Sequence, residues 1–481
     1  MFIGRKKELD YLESRFQSNK SELIVLYGRR RIGKTELLRE FSKDKDRTVF
    51  FVCTESTDQE QLSSFSSRIL SVGIPAAKYL RRFEDWESAF KSVTEIPKIG
   101  KKLLIIDEFP YMCKGNSSIP SIIQKLWDSL LQYENVMIIL CGSSLSFMER
   151  EVLAEKNPLY GRATGIYQLG AMPFSDARQF FPNYSQEEQL TSYAILGGIP
   201  HYLKQFNPSA TVAENIQREI LSPGSILYNE VELLLHQELR EISVYNSIIE
   251  AIAAGATRIN LIHGRTGLEN TKISAYLRNL LELNIVKKEF SLLTPTKERA
   301  GSNRGLYSLT DSFFRFWYRF VYPSTSELSM GEASGIYRHL IEPKLPEFIA
   351  PAFEEICRQY LYRLNNEGAL PFYFTKIGRW WENVTHDRDG KKETVAEEID
   401  LIAQGIVNNH SQYILAECKF RRGGADIDVF EALKNKFPSN KYPGTYHYFI
   451  FSFFGYSSRL KQLAQTNDVT LVPADDIFKV L

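Results

Sequence analysis

Residues 23–38 read LIVLYGRRRIGKTELL: an apolar run, a loop closed at both ends by glycine, then a helix-forming stretch. An uncharged apolar run of this length, bounded by glycine, reads as a strand buried on both faces, as in parallel sheets. Gly28, Arg29, Arg30, Arg31, Ile32, Gly33, Lys34 and Thr35 fit the pattern G-x-x-x-x-G-K-[ST], with the flanking strand and helix that a phosphate-binding loop requires. Gly28 and Gly33 let the backbone wrap closely, so that successive N–H groups face phosphate oxygens. Lys34 reaches the β- and γ-phosphates and the Thr35 hydroxyl reaches Mg²⁺, while Glu36 follows in the first turn of the helix. The positive end of that helix dipole adds to the site. The segment predicts nucleoside triphosphate binding within an α/β domain.

The chain has 481 residues, enough for about three domains. A formal charge of +1 excludes a global polyelectrolyte, so any nucleic-acid surface must be local. Cys53, Cys113, Cys141, Cys357 and Cys418 are scattered without a CxxC pair, which argues against a zinc site or a disulfide framework and fits a reducing cytoplasm. The start, MFIGRKKELD, lacks the apolar stretch of a signal peptide, and runs such as VMIIL stop far short of the ~20 residues that span a bilayer. A cytoplasmic location with no membrane partner is the expectation.

Over residues 1–180 short apolar runs alternate with amphipathic segments, the βαβα pattern of a parallel sheet, with strands expected at 22–27, 48–53, 102–107, 135–142 and 165–170. KKLLIIDEF puts Asp107 and Glu108 at a strand's carboxyl end, where ligands of open α/β sheets sit. Asp107 is positioned to hold the Mg²⁺ shell and Glu108 to orient the attacking water. The next strand ends in Ser143 and Ser144. Ser143 either senses phosphate or caps the strand, and both readings stay open. Arg162, before the last strand, either stabilises transition-state charge in its own or a neighbouring subunit or is a surface arginine. From about 175 to 235 the pattern is helical, with a Gly-Gly-Ile-Pro elbow at 197–200.

Residues 240–310 form a distinct unit, with helices expected at 243–254, 258–264 and 271–284, then IVKKEF and GLYSLT as two strands joined by a wing. That is the layout of a winged helix-turn-helix. Asn270 is the expected N-cap, and Ile273, Leu277, Leu280 and Leu281 the buried face. Lys272, Arg278, Lys287, Lys288, Lys297, Arg299 and Arg304 offer phosphate contacts, although the same layout also serves protein interaction. The run DSFFRFWYRFVYP at 311–323 reads as helix packing rather than a base-stacking platform. Further on, EEIDLIAQG and YILAECKFR form a hairpin across 408–411. Asp400 lies on the first strand; Glu417 and Lys419, two apart on the second, share a face from which Cys418 points away. Two carboxylates and a lysine so placed can hold Mg²⁺ and activate water against a phosphodiester, with Glu354 of the helix PAFEEICRQYL as a further carboxylate. A structural ion pair between Asp400 and Lys419 is the equal alternative.

FIGRKKEL at 2–9, GRRRIGKT at 28–35, LLIIDEFPYM at 103–112, ILCGSS at 139–144, LYGR at 159–162 and GGIP at 197–200 together resemble the archaeal-type AAA+ ATPases of the STAND-like group, which also occur in bacteria. The FEE helix, GRWW at 378–381, EEID at 397–400 and AECKF at 416–420 are similar to that family's C-terminal PD-(D/E)XK nuclease-like domain, with Ile399-Asp400 in place of the usual Pro-Asp. The resemblance implies ATP and Mg²⁺ as ligands, the first segment near the adenine, and Gly197 and Pro200 in a lid near the nucleotide. It implies an ATPase domain at 1–180, a helical lid at 181–238, a winged helix at 239–325 and a nuclease-like domain at 326–481. Two functions follow as expectations: an ATP-hydrolysing DNA-binding protein whose nucleotide state controls the winged helix and nuclease-like domain, or a nucleotide switch scaffolding protein partners around a silent nuclease fold. A homo-oligomer is compatible with either.

Overall fold

The computed structural model describes residues 2–299, 302, 304–388, 391–466 and 469–480. The chain divides into two compact units, Met1–Met172 with Ile199–Tyr202, and Pro173–Gly198 with Leu203–Leu481.

The first unit is built on α1 (Lys6–Phe16), β1 (Glu22–Tyr27), α2 (Lys34–Ser42), β2 (Val49–Val52), α3 (Asp58–Leu70), α4 (Trp86–Lys91), β3 (Lys102–Asp107), α5 (Phe109–Gly115), α6 (Ile119–Ser129), β4 (Val136–Gly142) and β5 (Gly165–Gln168). The strands form one parallel sheet in the order β2-β3-β4-β1-β5. β1 and β4 are buried at every position, which is why their sequences show no polar alternation. The place of β1 in this order sets its carboxyl end between those of β4 and β5: Gly28 N–H donates to Gly142 O at 3.3 Å and Leu169 N–H to Tyr27 O at 2.7 Å. A phosphate loop leaving β1 is thereby flanked by the ends of two neighbours, the crevice in which ligands of open sheets bind. The expected last strand, 165–170, ends at Gln168, because the chain turns at Leu169 to meet the loop.

The second unit begins with helices, including α7 (Gln186–Leu196) and α8 (Ile226–Glu238). α9 (Ile242–Ala253), α10 (Ile259–Thr266) and α11 (Asn270–Glu282) then lead into an antiparallel pair, β6 (Val286–Glu289) and β7 (Leu306–Leu309). Ile273, Leu277 and Leu280 are buried as expected, whereas Leu281 is only half-buried. Asn270 is not the cap: it is the first helical residue, and Glu269, extended and without a side-chain cap bond, precedes it. The aromatic run is core. Phe313, Phe314, Phe316, Trp317, Tyr318 and Phe320 are buried, the Trp317 indole donates to Tyr228 O at 2.8 Å and the Tyr318 hydroxyl to Asn246 Oδ1 at 2.7 Å, and the half-buried Tyr322 packs on Trp317 and Tyr318, so the rings of the run serve packing.

The same unit closes with α12 (Leu345–Glu367), β8 (Lys376–Arg388), β9 (Lys391–Val407), β10 (His410–Lys419), α13 (Ile427–Lys436), β11 (Thr445–Ser452), α14 (Ser458–Thr466), β12 (Val469–Pro473) and α15 (Ala474–Val480). Its mixed sheet has the order β12-β11-β10-β9-β8; β10, β11 and β12 are parallel, and β9 and β8 antiparallel. Asn408 and Asn409 turn the β9–β10 hairpin with φ of 48° and 66°, the left-handed pair that a two-residue turn requires and asparagine tolerates. All five cysteines are buried and unpaired. Among the described residues no helix is long and apolar enough to cross a membrane.

Candidate nucleotide site and a second polar cluster

Gly28 has no room for a side chain: a Cβ there would lie 2.5 Å from Leu169 O. Gly33, at φ +92°, ends the loop and caps α2, and a Cβ on it would meet the Pro200 ring at 3.5 Å. That contact places Pro200 against the phosphate loop. The buried Lys34 ammonium donates to Gly28 O at 2.8 Å and Arg29 O at 3.1 Å, spanning the mouth of its own loop. Burial holds it below the ordinary lysine value, against the opposing pull of Glu108 and Asp107. The Thr35 hydroxyl donates to Asp107 Oδ2 at 2.6 Å, and Asp107 is itself buried. A hydroxyl and a carboxylate so paired at a strand end are the oxygen donors that Mg²⁺ takes, so these residues fit the ion.

Glu108 begins α5 in a left-handed conformation, φ 53°, and its N–H donates to Asp107 Oδ1 at 3.0 Å. The turn separates the two acids: Asp107 faces Thr35, while Glu108 Oε2 accepts from the Ser143 hydroxyl at 2.8 Å. Lys34, Thr35, Asp107, Glu108 and Ser143 thus meet at the carboxyl ends of β1, β3 and β4. Arg162 is tied elsewhere, its Nε and Nη2 donating to Asp128 of α6 at 3.3 and 3.1 Å. Glu36 is exposed and pairs with Arg39 at 3.5 Å. Of the loop arginines, Arg29 and Arg30 are half-buried and Arg31 is exposed, with φ 68°.

Arg5 is a site residue whose part was not legible beforehand. It is buried, has φ 62°, pairs with Glu8 at 2.8 Å, and donates from Nη2 to Ile32 O at 3.1 Å and Gly170 O at 2.7 Å. One guanidinium therefore braces both the phosphate loop and the segment after β5. The sequence signal was the segment FIGRKKEL at 2–9, and the structure adds that Gly4 and Arg5 are both left-handed in front of α1.

In the second unit Asp400, Glu417 and Lys419 do come together. Lys419 Nζ contacts Glu417 Oε2 and lies 3.8 Å from Asp400 Oδ2, and the Cys418 N–H donates to Asp400 Oδ2 at 2.8 Å. Lys436 of α13, a residue that the pattern did not reveal, donates to Glu417 Oε1 at 2.7 Å. Burial raises the Glu417 carboxyl, but Lys419 and Lys436 outweigh it and hold it below the ordinary value. Burial and the charge of Glu417 push Asp400 up to about 6; burial and the charge of Asp400 push Glu354 up to about 8. Among the described residues no three His, Cys, Asp or Glu side chains are arranged to hold a metal. As arranged, the cluster is an ion-pair network in which Glu417 is shared by Lys419 and Lys436.

Residues 2–206 match an ATPase domain predominantly from Archaea, and residues 317–433 a family described as archaeal and bacterial proteins of unknown function. The uncharacterized protein MJECL04 of Methanocaldococcus jannaschii is 31% identical over 445 residues, covering 92% of this chain and 93% of the relative. The uncharacterized ATP-binding protein MJ0423 of the same organism is 53% identical over 45 residues, 9% of this chain and 76% of that one. The Walker-type ATPase of Pyrococcus abyssi shares the fold at 20% identity and a TM-score of 0.50, over 66% of this chain and 96% of that structure. The first unit is an ATPase domain.

Proposed function

This chain belongs to the family of that Methanocaldococcus jannaschii protein MJECL04, and from its archaeal-type ATPase domain we propose an ATP-hydrolysing protein whose nucleotide state controls nucleic-acid binding by its second unit. The observation that carries hydrolysis is the pairing of Glu108 with Ser143 beside Thr35 and Asp107. In this reading the loop N–H groups and Lys34 bind the triphosphate, and Glu108, steered by Ser143, orients the water that attacks the γ-phosphorus. Thr35 and Asp107 would hold Mg²⁺, which supplies charge neutralisation of the β- and γ-phosphates. Pro200 closes over Gly33.

The DNA reading draws on α11, read as the recognition helix of a winged helix-turn-helix. Asn270, Thr271, Lys272, Ser274 and Arg278 are all exposed on it, a polar and basic face of the kind that enters a groove. The wing supplies less. Lys288 donates to Ser302 O at 2.8 Å, Arg299 to Leu292 O at 3.2 Å and Thr294 O at 3.0 Å, and Arg304 pairs with Glu298 at 3.4 Å. That internal use of the wing cations favours the second reading, a nucleotide switch that scaffolds proteins. The C-terminal domain enters both readings as a nuclease-like fold in which Glu417 is held by Lys419 and Lys436.

The test is ATP turnover and DNA retention for the full chain, with Lys34→Ala and Glu108→Ala. Lys34→Ala should abolish ATP binding and leave salt-dependent DNA retention in place; DNA retention that is absent, or indifferent to salt, selects the scaffold. Mg²⁺-dependent nicking lost in Asp400→Ala and Lys419→Ala would restore an active nuclease.

A further inference from the structure

Between β2 and β3 the first unit carries an insertion made of α3, a 3₁₀ turn at Pro75–Lys78 and α4. Its connecting turn is anchored at both ends. Ile74 and Phe83 are buried, and the Phe83 N–H donates to Ser66 Oγ at 3.1 Å. Beneath them Phe65, Trp86 and Phe90 pack ring to ring, with centroids 5.2–5.5 Å apart. Every residue from 77 to 82 is exposed, Tyr79 at 88% and Leu80 at 40%. Lys78, Arg81 and Arg82 make no ion pair or side-chain hydrogen bond among the described residues. Of the acids that follow, Glu84 is exposed and Asp85 accepts from the N–H and hydroxyl of Ser88 at 2.7 and 3.3 Å, and neither of these described residues forms an ion pair with the three cations.

A well-anchored turn that holds a bare aromatic ring among three unpaired cations matches a strand of nucleic acid, with phosphates for the cations and an unstacked base for the ring. A duplex keeps its bases stacked and leaves Tyr79 without a partner. The turn also has a mechanical route to the hydrolysis site. The Trp86 indole donates to Asp58 Oδ1 at 2.7 Å, joining α4 to α3, and the buried Gln61 of α3 donates to Tyr111 O at 2.9 Å on α5, the helix that Glu108 starts.

We propose that residues 77–82 are a single-strand nucleic-acid contact of the ATPase unit, with phosphates on Lys78, Arg81 and Arg82 and a base on Tyr79, whose occupancy reaches Glu108 through α3 and α5. The inference rests on the reading that the protein acts on nucleic acid, and it adds a contact independent of α11.

The experiment titrates the full chain with a fluorescein-labelled single-stranded oligonucleotide across a salt series and measures ATP turnover with and without it. Its arms are the parent, Tyr79→Ala, Arg81→Gln with Arg82→Gln, and Lys272→Gln with Arg278→Gln on α11. Tyr79→Ala should weaken single-strand binding about 5- to 100-fold, and the double arginine variant should flatten the log–log salt slope by about 1.4. Both should lose oligonucleotide-stimulated turnover. Turn variants that bind and respond like the parent overturn the proposal. So does equal competition by phosphatidylserine vesicles, or a preference for duplex that Tyr79→Ala leaves intact. If only the α11 variant weakens binding, the turn is refuted while the nucleic-acid reading stands; if only the turn variants do, the recognition-helix reading falls instead. A parent that binds no nucleic acid refutes both.

Discussion

Arg5→Ala should destabilise the first unit and loosen its hold on nucleotide. The side chain supplies donors to Ile32 O at 3.1 Å and Gly170 O at 2.7 Å and a partner to Glu8 at 2.8 Å, all from a buried position. Truncation leaves two carbonyls without a donor, each costing about 1–3 kcal/mol, and water entering the space left behind recovers part of that. A net loss of about 3 kcal/mol is expected, or about 6–12 °C in the melting transition for a unit of this size. Alanine at φ 62° keeps the backbone strain, so no compensating relief arises. Because Ile32 belongs to the phosphate loop, ATP affinity should fall about tenfold or more, the equivalent of about 1.4 kcal/mol. Arg5→Lys, a single-point donor, should recover less than half of either loss. Calorimetry of the full chain with and without ATP, beside titration with a fluorescent nucleotide, measures both quantities. A melting shift below about 2 °C together with unchanged affinity would mean that water replaces the guanidinium fully, and the brace would be refuted.

Three further outcomes follow from the same geometry. Gly28→Ala drives a Cβ to 2.5 Å from Leu169 O, so the loop must part from β5; loss of ATP binding in a titration is expected, and retained binding would contradict the close approach. Glu108→Gln should keep ATP binding and lower turnover about 100-fold or more, with Ser143→Ala giving a smaller loss in the same direction, read by phosphate release; unchanged turnover in both would remove Glu108 from the mechanism. Glu354, pushed up to about 8 from an unfolded value of 4.5, holds a proton that the unfolded chain releases, so its contribution to stability is full below pH 4.5 and is lost as pH rises through about 8. Glu354→Gln should therefore gain denaturant resistance relative to the parent between about pH 5 and about pH 8.5, and a pH-independent difference would show that the burial is relieved by water.

How much of this was legible beforehand depended on the range of the interaction. ELIVLY, KLLIID and VMIILCG announce themselves because strands buried on both faces carry no polar alternation, and the rule that ligands sit at carboxyl ends then places Lys34, Thr35, Asp107, Glu108 and Ser143 together. Partners chosen by tertiary approach left no local trace. Arg5 reaches a carbonyl 165 residues away, Arg162 finds Asp128 on α6, and Lys436 arrives at Glu417 from a following helix. The wing shows the same limit from the other side. A count of its cations suggests a phosphate surface, but Arg299 turns inward to two carbonyls, a use that composition cannot distinguish. The two strands and two acids of the C-terminal cluster were legible from a period of two; that two lysines would hold Glu417 was not.

Strain at the nucleotide site has a common purpose. Arg5, Arg31 and Glu108 are left-handed without being glycine, each at a cost of about 1–2 kcal/mol, and all three lie where a strand or loop must turn sharply beside the phosphate position. Glu108 shows why the conformation is kept. An extended residue there would continue β3 and carry the carboxylate along the sheet, whereas the left-handed turn starts α5 at once, with Tyr111 N–H donating to Glu108 O at 2.9 Å. The carboxylate is thereby delivered to Ser143, just past the end of β4, while Asp107 stays with Thr35. Two acids adjacent in sequence acquire separate roles only because the backbone between them is strained, and the bonds to Asp107 Oδ1 and Ser143 Oγ hold it in that state. On the proposed reading, glycine at 108 would relieve the strain and remove the water-orienting group together, so the variant should be more stable and slower in turnover.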